Sequence, residues 1–223
     1  MSARGLFVTG TDTGCGKTEV ALGLMRRLQC EGVQVLGMKP VASGACDTGA
    51  GLRNADALRL QAQGSSPQAY SRVNPYAFEP PIAPHLAARA AGIPIDFGVI
   101  TRAFEGLSSE AERVVVEGVG GWRAPLGEGG DVADLAQHLG LPVVLVVGMR
   151  LGCLNHALLT ASAIAATDVA FAGWVANLVD PDMRALEGNL DTLRTRLPAP
   201  LLGVVPWLSR PEPGRIAVHL DRP

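Results

Sequence analysis

The residues with the most distinctive chemistry lie near the start of the chain, where residues 8–18 have the sequence VTGTDTGCGKT. A short apolar stretch precedes this segment and residues 19–28 carry apolar side chains at helical spacing, so a glycine-containing turn joins a strand to a helix. Such a turn directs unpaired backbone N–H groups and the positive end of the helix dipole at one point. The segment therefore predicts a loop that binds the phosphates of a nucleotide.

Two side chains at the end of this loop fit specific roles in phosphate binding. Lys17 is expected to reach the β- and γ-phosphates, and the Thr18 hydroxyl is expected to hold Mg²⁺. The match to the motif G-x-x-x-x-G-K-[ST] is incomplete, because Thr11 stands at the first glycine position and Gly10 lies one residue earlier. An ordinary glycine-rich turn is the alternative, but it gives Lys17 no role.

Lysine is scarce in this sequence, which makes its positions informative. Of the 19 basic residues, only Lys17 and Lys39 are lysines. Arginine and lysine are interchangeable as exposed charges, but not where a compact, rotatable ammonium group is needed. Lys39 follows a predicted strand at 33–38 and Ser43 comes shortly after, so both are expected at the sheet edge where ligands bind in open parallel sheets. A leftover surface charge is the alternative for Lys39.

Two carboxylates are expected at the same edge. Asp56 lies in the first turn of a helix predicted from residue 54, where it could serve a metal or a nucleotide or simply complement the helix dipole. Glu117 ends an apolar strand that begins at residue 114 and precedes a glycine-rich turn. A carboxylate at the tip of a buried strand costs free energy unless it is paired or bound to a metal, so Glu117 is the preferred Mg²⁺ ligand.

The composition limits the class of protein. Among 223 residues, 48% are apolar and 18% are charged, and the formal net charge is −2, which disfavours a disordered chain, a nucleic-acid partner and a membrane surface. The longest apolar run, at 142–149, is too short to span a bilayer, and no room is left for a signal peptide. The four cysteines show no metal-binding spacing and are expected as free thiols in a reducing cytoplasm. Residues 1–223 are expected to form one domain.

Apolar strands and helices alternate along the rest of the chain. Further strands are predicted near 142–147, 171–176 and 201–205, and helices near 84–91, 96–109 with Asp96 as its cap, 131–140, 152–166 and 182–197. This alternation predicts an α/β fold of the P-loop NTPase type, with a mostly parallel sheet covered by helices on both faces. Residues 64–84 are expected to be a proline-rich connection without a strand, and an irregular tail is expected from Pro206.

Three further positions carry weaker signals. Residues 152–155 start a predicted helix, and their backbone N–H groups form a second possible anion site. Asn177 ends a buried strand, where its carboxamide could recognise a base edge or simply form a turn. His85 is expected to make a hydrogen bond at a helix start rather than to act as a catalyst.

Together these motifs resemble those of the dethiobiotin synthetase family. The matching segments follow one another from residue 8 to about residue 208, so the resemblance covers nearly the whole chain. They are GTDT at 10–13, GKT at 16–18, KPVASG at 39–44, GLRNAD at 51–56, VNPY at 73–76, VEGVGGW at 116–122, LGCLNH at 151–156, GWVAN at 173–177 and PWL at 206–208.

The resemblance implies a homodimeric, ATP- and Mg²⁺-dependent ligase that closes a cyclic urea from 7,8-diaminopelargonate and CO₂ in the penultimate step of biotin biosynthesis. One amine forms a carbamate, the carbamate oxygen attacks the γ-phosphate, and the second amine displaces phosphate from the carbamic-phosphoric anhydride. The residues suit this chemistry, because phosphoryl transfer to a carbamate needs charge neutralisation and alignment more than a protein nucleophile.

The resemblance also implies roles for individual residues. The ATP-binding residues would be Thr13, Gly14, Cys15, Gly16, Lys17, Thr18, Asp56, Glu117, Gly118, Val119 and Gly120. Mg²⁺ would be held by Thr18, Asp56 and Glu117, and the catalytic residues would be Lys39, Lys17 and Thr11. Substrate would be bound by Thr11, Lys39 and Ser43 and, from the neighbouring subunit, by Gly152, Cys153, Leu154 and Asn155. The base end of the nucleotide would meet Asn177, Leu178, Pro206, Trp207, Leu208 and Glu212.

Two other classes of protein share parts of this pattern. Partitioning and septum-placement ATPases have the same sheet, but they carry a lysine where this chain has Asp12 and often add a basic or amphipathic tail. A small-molecule kinase would place arginines over the phosphates, for which Arg72 and Arg89 are the candidates. The chain also departs from the family it resembles: Cys15 stands where an aliphatic residue is common, and Glu212 aligns only across a one-residue gap.

Overall fold

The computed structural model describes residues 5–223, and a six-stranded sheet lies at its centre. In chain order the elements are β1 Gly5–Gly10, α1 Lys17–Cys30, β2 Val35–Met38, β3 Val41–Ala42, β4 Cys46–Asp47, β5 Leu52–Arg53, α2 Ala55–Gln63, α3 Tyr70–Val73, β6 Tyr76–Ala77, α4 Pro84–Ala91, α5 Phe97–Ser108, β7 Arg113–Glu117, β8 Pro125–Gly127, β9 Gly130–Asp131, α6 Val132–Leu139, β10 Val143–Met149, α7 Cys153–Ala165, β11 Phe171–Leu178, α8 Leu186–Arg196, β12 Leu201–Val205 and α9 Pro213–Ala217.

The central sheet has the strand order β12-β11-β10-β1-β7-β2, and every neighbouring pair is parallel. The first strand of the chain therefore lies inside the sheet, where Val8 is in register with Val144 of β10 on one side and with Glu117 of β7 on the other. All six strands end at one edge. The predicted α/β fold of the P-loop type is confirmed.

Apolar side chains leave the sheet on both faces, and helices cover each face. Val8 and Val115 pack on one side with residues of α1, α2 and α9. Phe7 and Val116 pack on the other side with residues of α4, α5, α6, α7 and α8. This burial on both faces explains why the strands are almost continuously apolar in sequence.

The segment at 64–84 is more ordered than its sequence predicts. It contains α3 and β6, and Tyr76 of β6 pairs in parallel with Val41 of β3. The Asn74 side-chain amide donates to the backbone carbonyls of Lys39 (2.6 Å) and Tyr76 (3.0 Å), which holds the segment against the loop that carries Lys39. The expectation of no strand in this segment is therefore wrong. The strand was missed because two residues are too few to show a periodic pattern.

The tail after Pro206 also differs from the expectation. It includes α9, whose Ile216 is buried against α1 together with Leu220. Gly23 of α1 permits this close approach, because a Cβ atom there would collide with Ile216. The tail is thus a packed part of the core. The sequence did not indicate this packing, because α9 is short and begins with a proline.

Two of the predicted helices, α2 and α5, begin with side-chain caps where they were expected, and one predicted helix start is shifted. The Asp96 carboxylate accepts from the Gly98 N–H (2.7 Å) at the start of α5, and Asn54 accepts from the Ala57 N–H (3.2 Å) at the start of α2. The helix expected from about residue 182 begins only at Leu186. Between residues 5 and 223, no helix is both long and apolar enough to cross a membrane.

Candidate active site

The predicted phosphate loop joins β1 to α1 at the carboxyl edge of the sheet. Gly14 (φ 76°) and Gly16 (φ 86°) adopt the left-handed backbone conformation, which glycine tolerates without strain. A Cβ atom at Gly16 would also collide with the Asn177 side chain. Gly16 is the N-cap of α1, and no side chain from the described residues caps this helix, so its first N–H groups are available to a ligand.

Lys17 is buried beneath the loop, and its ammonium group donates to the backbone carbonyl of Asp12 (2.8 Å). Burial is the largest influence on this group and lowers the pKa of Lys17, against opposing attractions that include those of Glu117 and Asp12. The ammonium group is thereby held inside the curve of the loop, which is where the phosphates are predicted to bind.

Arg150 anchors the same loop from the neighbouring strand, a contact that the sequence analysis missed. Its guanidinium group pairs with Asp12 Oδ2 (2.7 Å), while Asp12 Oδ1 accepts from the Thr13 N–H (2.7 Å). Arg150 directly follows β10. Its position after a buried strand on the ligand edge was the signal that could have indicated it.

Lys39, Thr18 and Glu117 meet at the carboxyl end of β7. Glu117 Oε1 accepts from Lys39 Nζ (2.5 Å) and from the Thr18 hydroxyl (2.8 Å). Lys39 Nζ also contacts Asp56 Oδ2 (3.4 Å) and the carbonyl of Gly118 (3.3 Å). Because Lys39 and Glu117 are both buried, the alternative that Lys39 is a leftover surface charge does not hold.

Lys39 faces two carboxylates in this cluster, those of Glu117 and Asp56. Burial alone would lower the pKa of Lys39, but attraction to Glu117 and Asp56 outweighs it and raises the pKa above the ordinary lysine value. Lys39 therefore stays positive at neutral pH. Its charge offsets that of Glu117, which would otherwise be costly at a buried position.

The cluster also fits the Mg²⁺ ligands predicted from the sequence, which are Thr18, Asp56 and Glu117. Glu117 Oε2 is buried and has no hydrogen-bond partner among the described residues, so one carboxylate oxygen is left to coordinate a cation. Within residues 5–223, no group of three or more His, Cys, Asp and Glu side chains could hold a metal. The free oxygen of Glu117 beside Asp56 fits Mg²⁺, which usually takes one or two carboxylates and completes its shell with water and phosphate oxygens.

A cavity of about 790 Å³ opens over this cluster and the phosphate loop. Its lining includes most residues predicted to bind phosphates, metal or substrate: Thr13, Gly14, Gly16, Lys17, Thr18, Lys39, Ser43, Asp56, Glu117, Val119 and Gly120. The Ser43 hydroxyl is buried without a hydrogen-bond partner from the described residues, so it is available to a ligand.

Three other predicted residues lie behind this lining. Cys15 is buried beneath the loop, and its carbonyl accepts from Asn177 Nδ2 (2.9 Å). The backbone N–H of Thr11 donates to Val146 (3.0 Å), and that of Gly118 donates to the carbonyl of Val8 (2.9 Å). These contacts hold the backbone that carries the lining residues.

Glu19 and Arg59 also line the cavity, although the sequence analysis named neither. Glu19 follows Thr18 on α1, and Arg59 lies on α2. The Arg59 guanidinium group donates to both carboxylate oxygens of Glu19, at 2.6 and 2.8 Å.

A second cavity, of about 210 Å³, adjoins the first and shares Gly16 and Glu19 with it. Its lining includes the residues predicted at the base end of the nucleotide: Asn177, Leu178, Pro206, Trp207 and Leu208. Asn177 is more than a turn residue, because its side chain holds the phosphate loop at Cys15. Glu212 is the N-cap residue of α9 and does not line this cavity, although its neighbour Pro211 does.

Comparisons with known proteins identify the family. A family model described as an AAA domain matches residues 4–213. The ATP-dependent dethiobiotin synthetase BioD of Pseudomonas paraeruginosa is 55% identical over 216 residues, which cover 96% of this chain and 95% of the relative. The enzyme of the same name from Aromatoleum aromaticum is 50% identical over 220 residues, covering 99% of this chain and 98% of the relative. This chain belongs to the dethiobiotin synthetase family.

A solved structure of a ParA family ATPase from Chlorobium tepidum TLS has a TM-score of 0.54 and 13% identity, covering 93% of this chain and 86% of that one. Such a low identity shows the fold alone, so it does not favour a partitioning ATPase over a dethiobiotin synthetase. The arginines that a kinase would need lie elsewhere: Arg72 pairs with Glu110 (2.6 Å) on the surface, and Arg89 lines a separate cavity.

One part of the site expected for a dethiobiotin synthetase stands apart from the large cavity. That cavity is not lined by Gly152, Cys153, Leu154 or Asn155 of the same chain. Gly152 is the N-cap of α7 with φ of 93°, Asn155 is exposed, and the adjacent Leu151 is 99% exposed. The start of α7 is therefore partly exposed and does not line the large cavity of its own chain.

Proposed function

We propose that this protein is an ATP-dependent dethiobiotin synthase, which converts 7,8-diaminopelargonate and CO₂ into dethiobiotin and releases ADP and phosphate. The observation that carries the proposal is the convergence of Lys17, Lys39 and Glu117 in one cavity at the start of α1. Membership of the dethiobiotin synthetase family supports the choice of substrates.

In the first step, one amine of the substrate adds to CO₂, forms a carbamate and loses a proton. The carbamate carries a negative charge, which the Lys39 ammonium group is suited to neutralise because its raised pKa keeps it positive. The unpartnered hydroxyl of Ser43 can donate a hydrogen bond to a carbamate oxygen. Thr11 is proposed to help position this group.

In the second step, a carbamate oxygen attacks the γ-phosphorus of ATP, and the bond to the leaving ADP breaks. Lys17 and the first N–H groups of α1 bind the phosphates, and Lys39 balances the charge on the transferring group. Mg²⁺, if held by Thr18, Asp56 and Glu117, would supply further charge neutralisation at the phosphate oxygens.

In the third step, the second amine attacks the carbonyl carbon of the carbamic-phosphoric anhydride, phosphate leaves and the cyclic urea closes. The anhydride must be protected from water until then. Apolar residues at 81–84, including Ile82, line the cavity opposite the charged cluster and are suited to this protection.

The proposal includes a homodimer, in which Gly152–Asn155 of one subunit bind the carboxylate of substrate held in the cavity of the other. The exposed start of α7 supports this arrangement, because its N–H groups suit an anion and do not line the cavity of their own chain. A cytoplasmic location is proposed as well, which the four unpaired cysteines fit. Nucleic acid and membrane are not among the proposed partners.

The test is phosphate release by the purified protein with ATP, Mg²⁺ and bicarbonate, in the presence and absence of 7,8-diaminopelargonate. We expect release that requires the diamine, a cyclic urea detected by mass, and loss of both in Lys39→Ala and Lys17→Met, with the surface variant Arg72→Ala as control. Two lysine variants are used because Lys39→Ala leaves the buried carboxylate of Glu117 without its ion-pair partner and so also destabilises the fold. Diamine-independent ATP hydrolysis without a new product would point instead to a switch ATPase.

A further inference from the structure

The pair formed by Arg59 and Glu19 has a geometry that the proposed reaction does not explain. Both terminal nitrogens of the guanidinium group donate to the carboxylate, with distances of 2.6 and 2.8 Å, which is the bidentate arrangement that fixes the guanidinium plane. The residues are 40 positions apart in sequence and join α2 to α1. The pair therefore holds an arginine in one orientation beside the phosphate loop.

The pair lies in the wall of the phosphate cavity and not on a remote surface. Both side chains line the cavity of about 790 Å³, together with Lys17 and Thr18. Arg59 also lies one helical turn after Asp56 and so on the same face of α2, next to a predicted metal ligand. This places the guanidinium group on the side of the cavity where the β- and γ-phosphates are expected.

The charge of Glu19 makes the arginine necessary at this position. A carboxylate beside the start of α1 repels a polyphosphate, and Glu19 contributes to both cavities between which a nucleotide would extend. Hydrogen bonding to Glu19 is the largest influence on Arg59 and raises its pKa, so the guanidinium group stays positive. Of its five N–H donors, the bidentate pair uses two, which leaves donors for an anion.

We propose that Arg59 is a third cation of the nucleotide site, which binds β- and γ-phosphate oxygens from the α2 side while Glu19 positions its guanidinium plane. The inference rests on the proposed ATP-dependent reaction. It adds a planar, bidentate donor to the two compact ammonium groups, a role that lysine does not fulfil.

The test is the Kd of the full-length protein for ATP and for AMP, measured by titration calorimetry with Mg²⁺. We expect Arg59→Ala to raise the Kd for ATP by roughly tenfold or more, because hydrogen bonds between charged groups are involved. The Kd for AMP, which lacks the β- and γ-phosphates, should stay within about twofold. Arg59→Lys should recover only part of the ATP affinity, because the ammonium group keeps the charge but loses the fork.

The control is Arg72→Ala, since Arg72 pairs with Glu110 through one terminal nitrogen (2.6 Å) away from the cavity. It should leave both Kd values unchanged. If Arg59 only ties α1 to α2 or offsets the charge of Glu19, the double variant Arg59→Ala/Glu19→Ala would bind ATP with the Kd of the unaltered protein, which would overturn the inference; an ATP Kd that stays raised by roughly tenfold in the double variant supports it. An equal loss of ATP and AMP affinity would overturn it too. Absence of diamine-dependent phosphate release in the unaltered protein would instead contradict the proposed function.

Discussion

Around Glu117, charged groups are buried in mutual contact, whereas at the start of α7 Gly152 and Asn155, which are predicted to bind the substrate carboxylate, lie at the surface. The first region brings together side chains from β7, α1 and the loop after β2, and its hydrogen bonds are formed within one chain. The second region offers mainly backbone N–H groups, and Leu151 beside it is fully exposed. The contrast is between phosphate-site groups that are already paired within one chain and a proposed carboxylate site whose backbone N–H groups lie next to solvent.

Substitution by methionine should lower the free energy of unfolding at Lys39 but not at Lys17. The difference tests whether the ion pair around Glu117 already stabilises the ligand-free protein. Lys39→Met leaves Glu117 charged and unpaired, so we expect the free energy of unfolding of the ligand-free protein to fall by about 3–5 kcal/mol. Lys17 has no carboxylate in hydrogen-bond contact, and burial lowers its pKa, so Lys17→Met should not lower that free energy. Urea denaturation in EDTA measures both. Equal losses in the two variants would contradict the assignment.

The pH dependence of these variants sharpens the same comparison. Because the pKa of Lys39 is raised in the folded state, its stabilising contribution is fully present below the unfolded value of 10.5 and is lost as the pH rises through the folded pKa. The stability gap between the unaltered protein and Lys39→Met should therefore stay constant up to pH 10.5 and narrow above it. For Lys17, whose folded pKa is lowered, raising the pH towards 10.5 should favour the unaltered protein over Lys17→Met. Denaturation series at increasing pH would reveal either trend.

The exposed region can be tested with an added charge. Asn155→Asp places a carboxylate at the start of α7, so we expect the KM for the diamine to rise by about tenfold while the KM for ATP is unchanged. At a diamine concentration well below the KM, where Asn155→Asp is impaired, mixing this variant with Lys17→Met should give about a quarter of the unaltered activity, because half of the proposed homodimers would be mixed and each would have one intact composite site. Without recovery on mixing, the carboxylate site would have to lie within a single chain.

The smallest effect is expected for Arg150, which holds the phosphate loop through its ion pair with Asp12. Arg150→Ala removes the partly exposed ion pair with Asp12, so the KM for ATP should rise about two- to fivefold with little change in kcat. Initial rates at varied ATP measure this change. Arg194→Ala, which breaks a surface pair with Asp191, is the control and should leave the KM unchanged. A fall in kcat without a change in KM would assign Arg150 a different role.

Local sequence was sufficient to predict the phosphate loop and the strand ends. Lys17 and Thr18 follow a recognisable motif, while Lys39 and Glu117 each end a strand whose apolar pattern is clear, and parallel strands bring such ends together. The sequence could not predict the partners of these groups. That Lys39 pairs with Glu117 across 78 positions depends on β2 and β7 being neighbours, which no local pattern specifies.

Some functional residues and short elements could not be predicted from the sequence for the same reason. Arg150 and Asp12 are 138 positions apart, and Arg59 was one of many arginines until α2 packed beside α1. The strand β6 and the helix α9 are too short to show a period, although Asn74 and Ile216 fix them firmly through tertiary contacts. Side-chain roles that depend on long-range packing therefore become apparent only in the folded chain.

The central place of β1 has a consequence for protein synthesis. The strand that leads into the phosphate loop is synthesised 136 residues before its register partner Val144, and Ile216, which covers α1, follows later still. At elongation rates of about 5–20 residues per second, the wait for β10 lasts on the order of ten seconds. During that interval the apolar surface of β1 and α1 stays uncovered and accessible to chaperones.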